Sequence, residues 1–158
     1  HDEQYIIVRA SHKNAESVAN LLKKHFILHG FPEPEELLVR YTSDPEMEAY
    51  RLFSEMSRDW KKTFIFALSG YFARGIHEAL REEPVMPDIL SFDNLEARTG
   101  IPGTTESYFT AIERNLPAVY QRAVALIQEL VSGRVSEIRN IGINAELVIR
   151  KSIKDLSN

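Results

Sequence analysis

The sequence predicts an all-α fold, a helical bundle, on three observations. Apolar residues recur at steps of three and four through most of the chain, which lines them along one stripe of each helix. Seven prolines and seven glycines are few for 158 residues, and they gather between the periodic stretches, where they act as joints. Only one passage, Tyr5 to Ala10, is dense in β-branched residues, and one or two strands cannot form a stable sheet alone.

The elements follow in order. Tyr5-Ile6-Ile7-Val8-Arg9-Ala10 would suit a strand leading into a helix, and that alternative gives a small α+β ligand-binding fold. From Asn14 to Leu28, Val18, Leu21, Leu22 and Phe26 form one helical stripe. A second helix starts at Asp44 and carries Met47, Tyr50, Leu52, Phe53 and Met56. Ser57 suits the N-cap of a long third helix, with Trp60, Phe64, Ala67, Leu68, Tyr71, Phe72, Ile76 and Leu80 on its buried side. Shorter helices are expected over Ser91 to Thr99 and Thr105 to Arg114, the latter presenting Tyr108, Phe109 and Ile112. Pro117 fits the first turn of a helix whose Val119, Tyr120, Ala123, Leu126, Ile127 and Leu130 keep helical spacing. A last helix, interrupted at Gly142, is expected from Val135 to Ile153. There is no internal repeat, and the length fits a single helical domain over residues 1–158. An opening His1 in place of Met fits a processed chain or a fragment of a larger helical barrel.

Composition excludes several functions. Zero cysteines rule out a disulfide framework, a thiolate metal site and a cysteine nucleophile, and fit a reducing, cytoplasmic setting. With 19 Lys+Arg against 23 Asp+Glu the net charge is −4, so the basic face that nucleic acid requires is not expected. No apolar run is long enough to span a bilayer. His25 and His29 are four apart and share a helix face, a spacing that can ligate a metal, but no third ligand accompanies them. Ser69-Gly70 lacks a nucleophile-elbow setting, and Gly100-Ile101-Pro102-Gly103 lacks the Lys-Ser/Thr of a phosphate loop.

One ordered set of residues remains: Met56-Ser57-Arg58-Asp59-Trp60, Phe64, Tyr71, Glu78-Ala79, Pro87, Phe92 and Thr99-Gly100. In order and spacing this set resembles the class I terpene synthases. Their central helix has a Trp, a Tyr eleven residues later and a Glu-Ala seven after that, followed by a Pro, an aromatic and an R-x-x-T/D-G/S turn. His1-Asp2-Glu3-Gln4-Tyr5 stands where the family carries its Asp-rich motif.

The resemblance implies a helical barrel that binds an isoprenoid diphosphate with Mg²⁺ and promotes diphosphate loss and cyclisation, a lyase chemistry. Asp2, Glu3 and Asn144 would then be metal ligands, Arg98 the diphosphate contact, and Thr99 with Gly100 the catalytic turn. Trp60, Phe64, Tyr71, Phe72, Tyr108 and Phe109 would line the cavity and steady a carbocation. Glu96 occupies the position of the family's diphosphate-sensing Arg, and the second metal motif is reduced to Asn140, Asn144 and Glu146, which fits an inactive form. An incomplete barrel would expose apolar surface and self-associate into a homo-oligomer. The alternative is a non-catalytic helical module that binds a hydrophobic small molecule or a protein partner.

Overall fold

Residues 4–10 carry an unbroken apolar run, Tyr5 to Val8, because they lie in the middle of a parallel sheet, covered on both faces. They form β1 (Gln4–Ala10), and Ile6, Ile7 and Val8 have no solvent exposure. A computed structural model describes residues 3–40, 42–95, 107–134 and 141–154. Within them, α1 (Lys13–Leu28), β2 (Glu35–Val39), α2 (Pro45–Ser54), β3 (Thr63–Ala67), α3 (Gly70–Leu80), β4 (Asp88–Ser91), β5 (Thr110–Glu113), α4 (Leu116–Val131) and β6 (Glu146–Val148) follow. The strands make one sheet in the order β2-β1-β3-β4-β5-β6. The first five run parallel, and β6 pairs antiparallel with β5.

The fold is therefore α/β, and the all-α expectation is corrected. The passage at Tyr5 to Ala10 does have partners: β1 pairs with β2 through Ile7↔Glu36 and Val8↔Leu37, and with β3 through Ile6↔Ile65 and Ile7↔Phe66. The long helix expected from Ser57 to Leu80 is two elements. Thr63-Phe64-Ile65-Phe66-Ala67 alternates, with Thr63, Ile65 and Ala67 buried on one face and Phe64 and Phe66 half-buried on the other. Its helix starts only at Gly70, where the Ser69 hydroxyl caps the Tyr71 N–H at 3.3 Å. Ser91 ends β4 rather than opening a helix, Thr110–Glu113 is β5, and Glu146–Val148 is a strand within the expected last helix. Helices at Asn14–Leu28, after Asp44, and around Pro117 are present as α1, α2 and α4.

Two layers cover the sheet. On one face Ile6, Val8, Ile65 and Ile89 pack against Ala49 and Phe53 of α2 and Phe72, Ala73 and Ile76 of α3. On the other face α1 lays Phe26 edge-on against Tyr5 and Phe66, with ring centroids 4.9 and 5.3 Å apart.

The β4–β5 join is short, with only Leu90↔Thr110 and Ser91↔Ala111 in register. Ser152 fastens it. Its buried hydroxyl donates to the Ile89 carbonyl at 2.6 Å and accepts from the Thr110 N–H at 2.7 Å, while its own carbonyl accepts from Ile89 N–H at 2.9 Å. Ser152→Ala strands a buried donor and a buried acceptor, and is expected to cost about 3 kcal/mol of stability in urea denaturation. An unchanged midpoint would mean that the strands hold together without the clasp.

Candidate functional site

The chain leaves β1 for β2 on one side and returns to β3 on the other, so the strand order reverses at β1. In an open parallel sheet the loops beyond the carboxyl ends diverge at such a reversal and leave a crevice. A cavity of about 410 Å³ occupies that place. Its walls come from strand ends and the residues that follow them: Ala10 at the end of β1 and His12 after it, Arg40 and Thr42 after β2, Leu68 and Ser69 after β3, Phe92 and Asp93 after β4, and Arg114 after β5.

Asp93 is held firmly. Its Oδ1 accepts from the Gly70 N–H at 2.8 Å, and its carbonyl accepts from the Ser91 hydroxyl at 2.7 Å. Position 70 must be glycine here, since a Cβ would stand 2.5 Å from both Asp93 Oδ1 and Leu95 Cβ. One carboxylate oxygen is thus engaged while the side chain still borders the cavity. The Arg114 guanidinium lies 6.0 Å from the centre of the Phe92 ring, within cation–π range. On the β1 side the His12 imidazole caps α1, accepting from Ala15 N–H at 3.2 Å. Tyr71 and Phe72, from the first turn of α3, supply aromatic wall.

The residues singled out in the sequence fall in several places. Tyr71 and Phe72 do border this cavity. Trp60 is buried against Phe53 at 5.8 Å between ring centroids. Phe64 belongs to an aromatic groove with Tyr5, Phe26, Phe31 and Phe66 on the α1 face. Tyr108 and Phe109 pack on His77 at 4.8 and 5.7 Å. The six aromatics are therefore spread over the sheet and do not share one cavity. Glu3 accepts a 2.6 Å hydrogen bond from the Tyr5 hydroxyl; burial and this carboxylate push the Tyr5 phenol up to about 12. Glu3 precedes β1, whereas Asn144 precedes β6, which starts beside the carboxyl end of β5. The two stand at opposite ends of the sheet. Asp2, Glu96, Arg98, Thr99, Gly100 and Asn140 lie outside the described residues. The His25 and His29 rings stack at 6.3 Å, and no group of three or more metal-ligating side chains occurs among the described residues. No helix among them is long and apolar enough to cross a membrane.

His12, Arg40, Asp93 and Arg114 were not legible as a site. Their common signal is position just past a strand end, which has meaning only once the strands are recognised.

No protein-family model matches the chain, and no curated protein is significantly similar to it. Solved structures of LacI-family transcriptional regulators share its fold. One from Enterococcus faecium, with bound ribose, gives a TM-score of 0.73 at 18% identity over 95% of this chain and 56% of its own. One from Arthrobacter sp. FB24, in complex with lactose, gives 0.68 at 18% identity over 97% and 59%. Transcription regulator CcpA of Lactococcus lactis gives 0.72 at 16% identity over 96% and 56%.

These matches overturn the terpene-synthase resemblance, and with it the helical barrel and the lyase activity on an isoprenoid diphosphate. The spacing of eleven between Trp60 and Tyr71 had implied a single helix, yet Trp60 precedes β3 and Tyr71 follows it in α3. The chain spans a little over half the length of the regulators it matches, and what it shares with them is their α/β fold.

Proposed function

We propose that the chain is a small-molecule-binding domain of a transcriptional regulator, with a sugar as ligand in the crevice beyond β1, β3, β4 and β5. The observation that carries this is Asp93, a carboxylate fixed by Gly70 N–H at the edge of a cavity with aromatic walls. A carboxylate accepts from two adjacent hydroxyls, and the apolar face of a sugar ring packs on aromatic side chains such as Tyr71 and Phe92. The ribose and lactose in two solved structures of this fold support the choice of ligand class. A non-catalytic helical module fits better than the terpene synthase as far as ligand binding goes, with an α/β fold in place of the helical one and a polar ligand in place of a hydrophobic one. A regulatory role for the whole protein rests on the same neighbours.

Asp93→Asn tests the site. The amide oxygen still accepts from Gly70 N–H, so the fold is retained, but the charge-assisted bonds to sugar hydroxyls are lost. Calorimetric titration with a pentose, hexose and disaccharide panel is expected to show affinity falling about tenfold or more in the variant. If no sugar binds the wild type at millimolar concentration, or the variant binds equally well, the reading is wrong.

A further inference from the structure

We propose that the ligand of this cleft is an acidic sugar, one carrying a phosphate or a carboxylate, with the anionic group at Arg40; this rests on the sugar-binding reading above. The chain is net negative, yet the charged residues of the cavity wall are two arginines against one carboxylate. That carboxylate is committed in part to Gly70 N–H.

The arginines are the unusual feature. Elsewhere in the described residues arginines are paired: Arg58 with Glu35, Arg74 with Glu46 and Arg122 with Glu129, while Arg150 donates to the Phe109 carbonyl at 2.7 Å. Arg40 and Arg114 have no ion pair or hydrogen bond with any described residue, and both border the cavity. Both are exposed and are solvated in the free protein, and the fork geometry of an unengaged guanidinium at a cavity wall suits carboxylate and phosphate oxygens.

The two arginines play different parts. They follow β2 and β5, four strand spacings or about 19 Å apart, so they do not converge on one anion. Arg114 follows the strand next to that of Asp93, whose charge offsets its own, and belongs to the hydroxyl-binding end. Arg40 stands at the other end, without a carboxylate in the lining on its side. Asp44 is nearby in sequence, but its Oδ1 accepts from Met47 N–H at 3.0 Å as the cap of α2. The first turn of α1 opens on the same end through Asn14 and Ala15, and its dipole adds to the attraction for an anion. The cleft is therefore polarised, with an anion-binding end at Arg40 and a hydroxyl-binding end at Asp93 and Arg114.

The test is calorimetric titration of the 158-residue chain and its Arg40→Gln variant with ribose, ribose 5-phosphate, ribonate, lactose and lactobionate, alongside thermal shift with inorganic phosphate alone. The expected result is at least about tenfold tighter binding of an acidic sugar than of its neutral parent, with the difference abolished in Arg40→Gln. Preference for ribose 5-phosphate identifies a phosphate ligand, and preference for ribonate or lactobionate identifies a carboxylate. Phosphate alone should raise Tm in the wild type and not in the variant. Equal binding of neutral and acidic sugars overturns the proposal and leaves the sugar-binding reading standing. If neither sugar nor phosphate binds, both fall.

Discussion

Gly75→Ala is expected to lower the stability of the protein by about 3 kcal/mol, although alanine is the better helix former. Gly75 lies on the face of α3 that meets α2. A Cβ there would stand 2.2 Å from the Glu46 carbonyl oxygen and 3.0 Å from both the Ala49 Cβ and the Tyr50 nitrogen. Two of those three atoms are backbone, so relief requires α2 to move as a body. That movement would loosen Phe53, Ala73 and Ile76, which are fully buried between the helices and the sheet. It would also displace Pro45, Tyr71 and Phe72, the parts of α2 and α3 that reach the cleft, so the sugar affinity proposed above should fall together with the urea midpoint. A midpoint equal to or above that of the wild type would show that the two helices are not in this close approach.

Glu36→Ala is expected to cost a similar amount, about 3 kcal/mol, for an electrostatic reason. Glu36 on β2 receives the Arg9 guanidinium of β1 on one oxygen and Lys23 Nζ of α1 on the other, the latter at 2.6 Å. Arg9 is 9% exposed, and its further hydrogen bond is to the Ala10 carbonyl at 3.1 Å. Removing the glutamate leaves a buried guanidinium without its counter-ion. The hydrogen bond from Lys23 and, against the opposing effect of burial, that from Arg9 hold the Glu36 carboxyl below its ordinary 4.5. Because the folded-state value is the lower one, the stabilisation is complete above the ordinary glutamate range and is lost as pH falls through the lowered value. Stability measured by urea denaturation at a series of pH values should therefore drop on the acid side in the wild type. The drop should be shallower in Glu36→Gln, which keeps the shape and cannot titrate. Parallel acid profiles would remove this triad as a contributor.

What the sequence disclosed was what local interactions decide. Asp44-Pro45 carries a cap and a first-turn proline in adjacent positions, and α2 begins there. Pro117 likewise lies in the first turn of α4, and the stripe through Val18, Leu22 and Phe26 gives α1. The strands were hidden because their partners are distant in sequence: Ile6 meets Ile65, and Ile65 meets Ile89. The segment from Trp60 to Leu68 satisfies a helical period and a strand alternation at once. Only the pairing with β1 decides between them. For the same reason the sequence places Tyr71 and Phe72 on one helix with Trp60 and Phe64, whereas they lie in α3, after the strand that holds Phe64, and Asp93 and Arg40, which follow strands, carry no local signal.

The Ser152 clasp has a consequence for the order in which this protein closes and opens. It joins Ile89 to a residue 63 positions further along, and Lys154 N–H reaches Asp88 across 66, so the far wall of the sheet is sealed by contacts between segments distant in sequence. The β4–β5 join that it seals has two register pairs, against five in each of the β1–β2 and β1–β3 ladders, so it has few bonds to break when it opens. The unit built from β1, β2, β3, α2 and α3 has its own core and longer ladders, and can hold while β5 detaches. In native-state hydrogen exchange, the Thr110 and Arg150 amides should then exchange faster than those of Ile6 and Ile65. The end of the cleft where Arg114 follows β5 would then breathe on a timescale of its own, set by how often the clasp lets go.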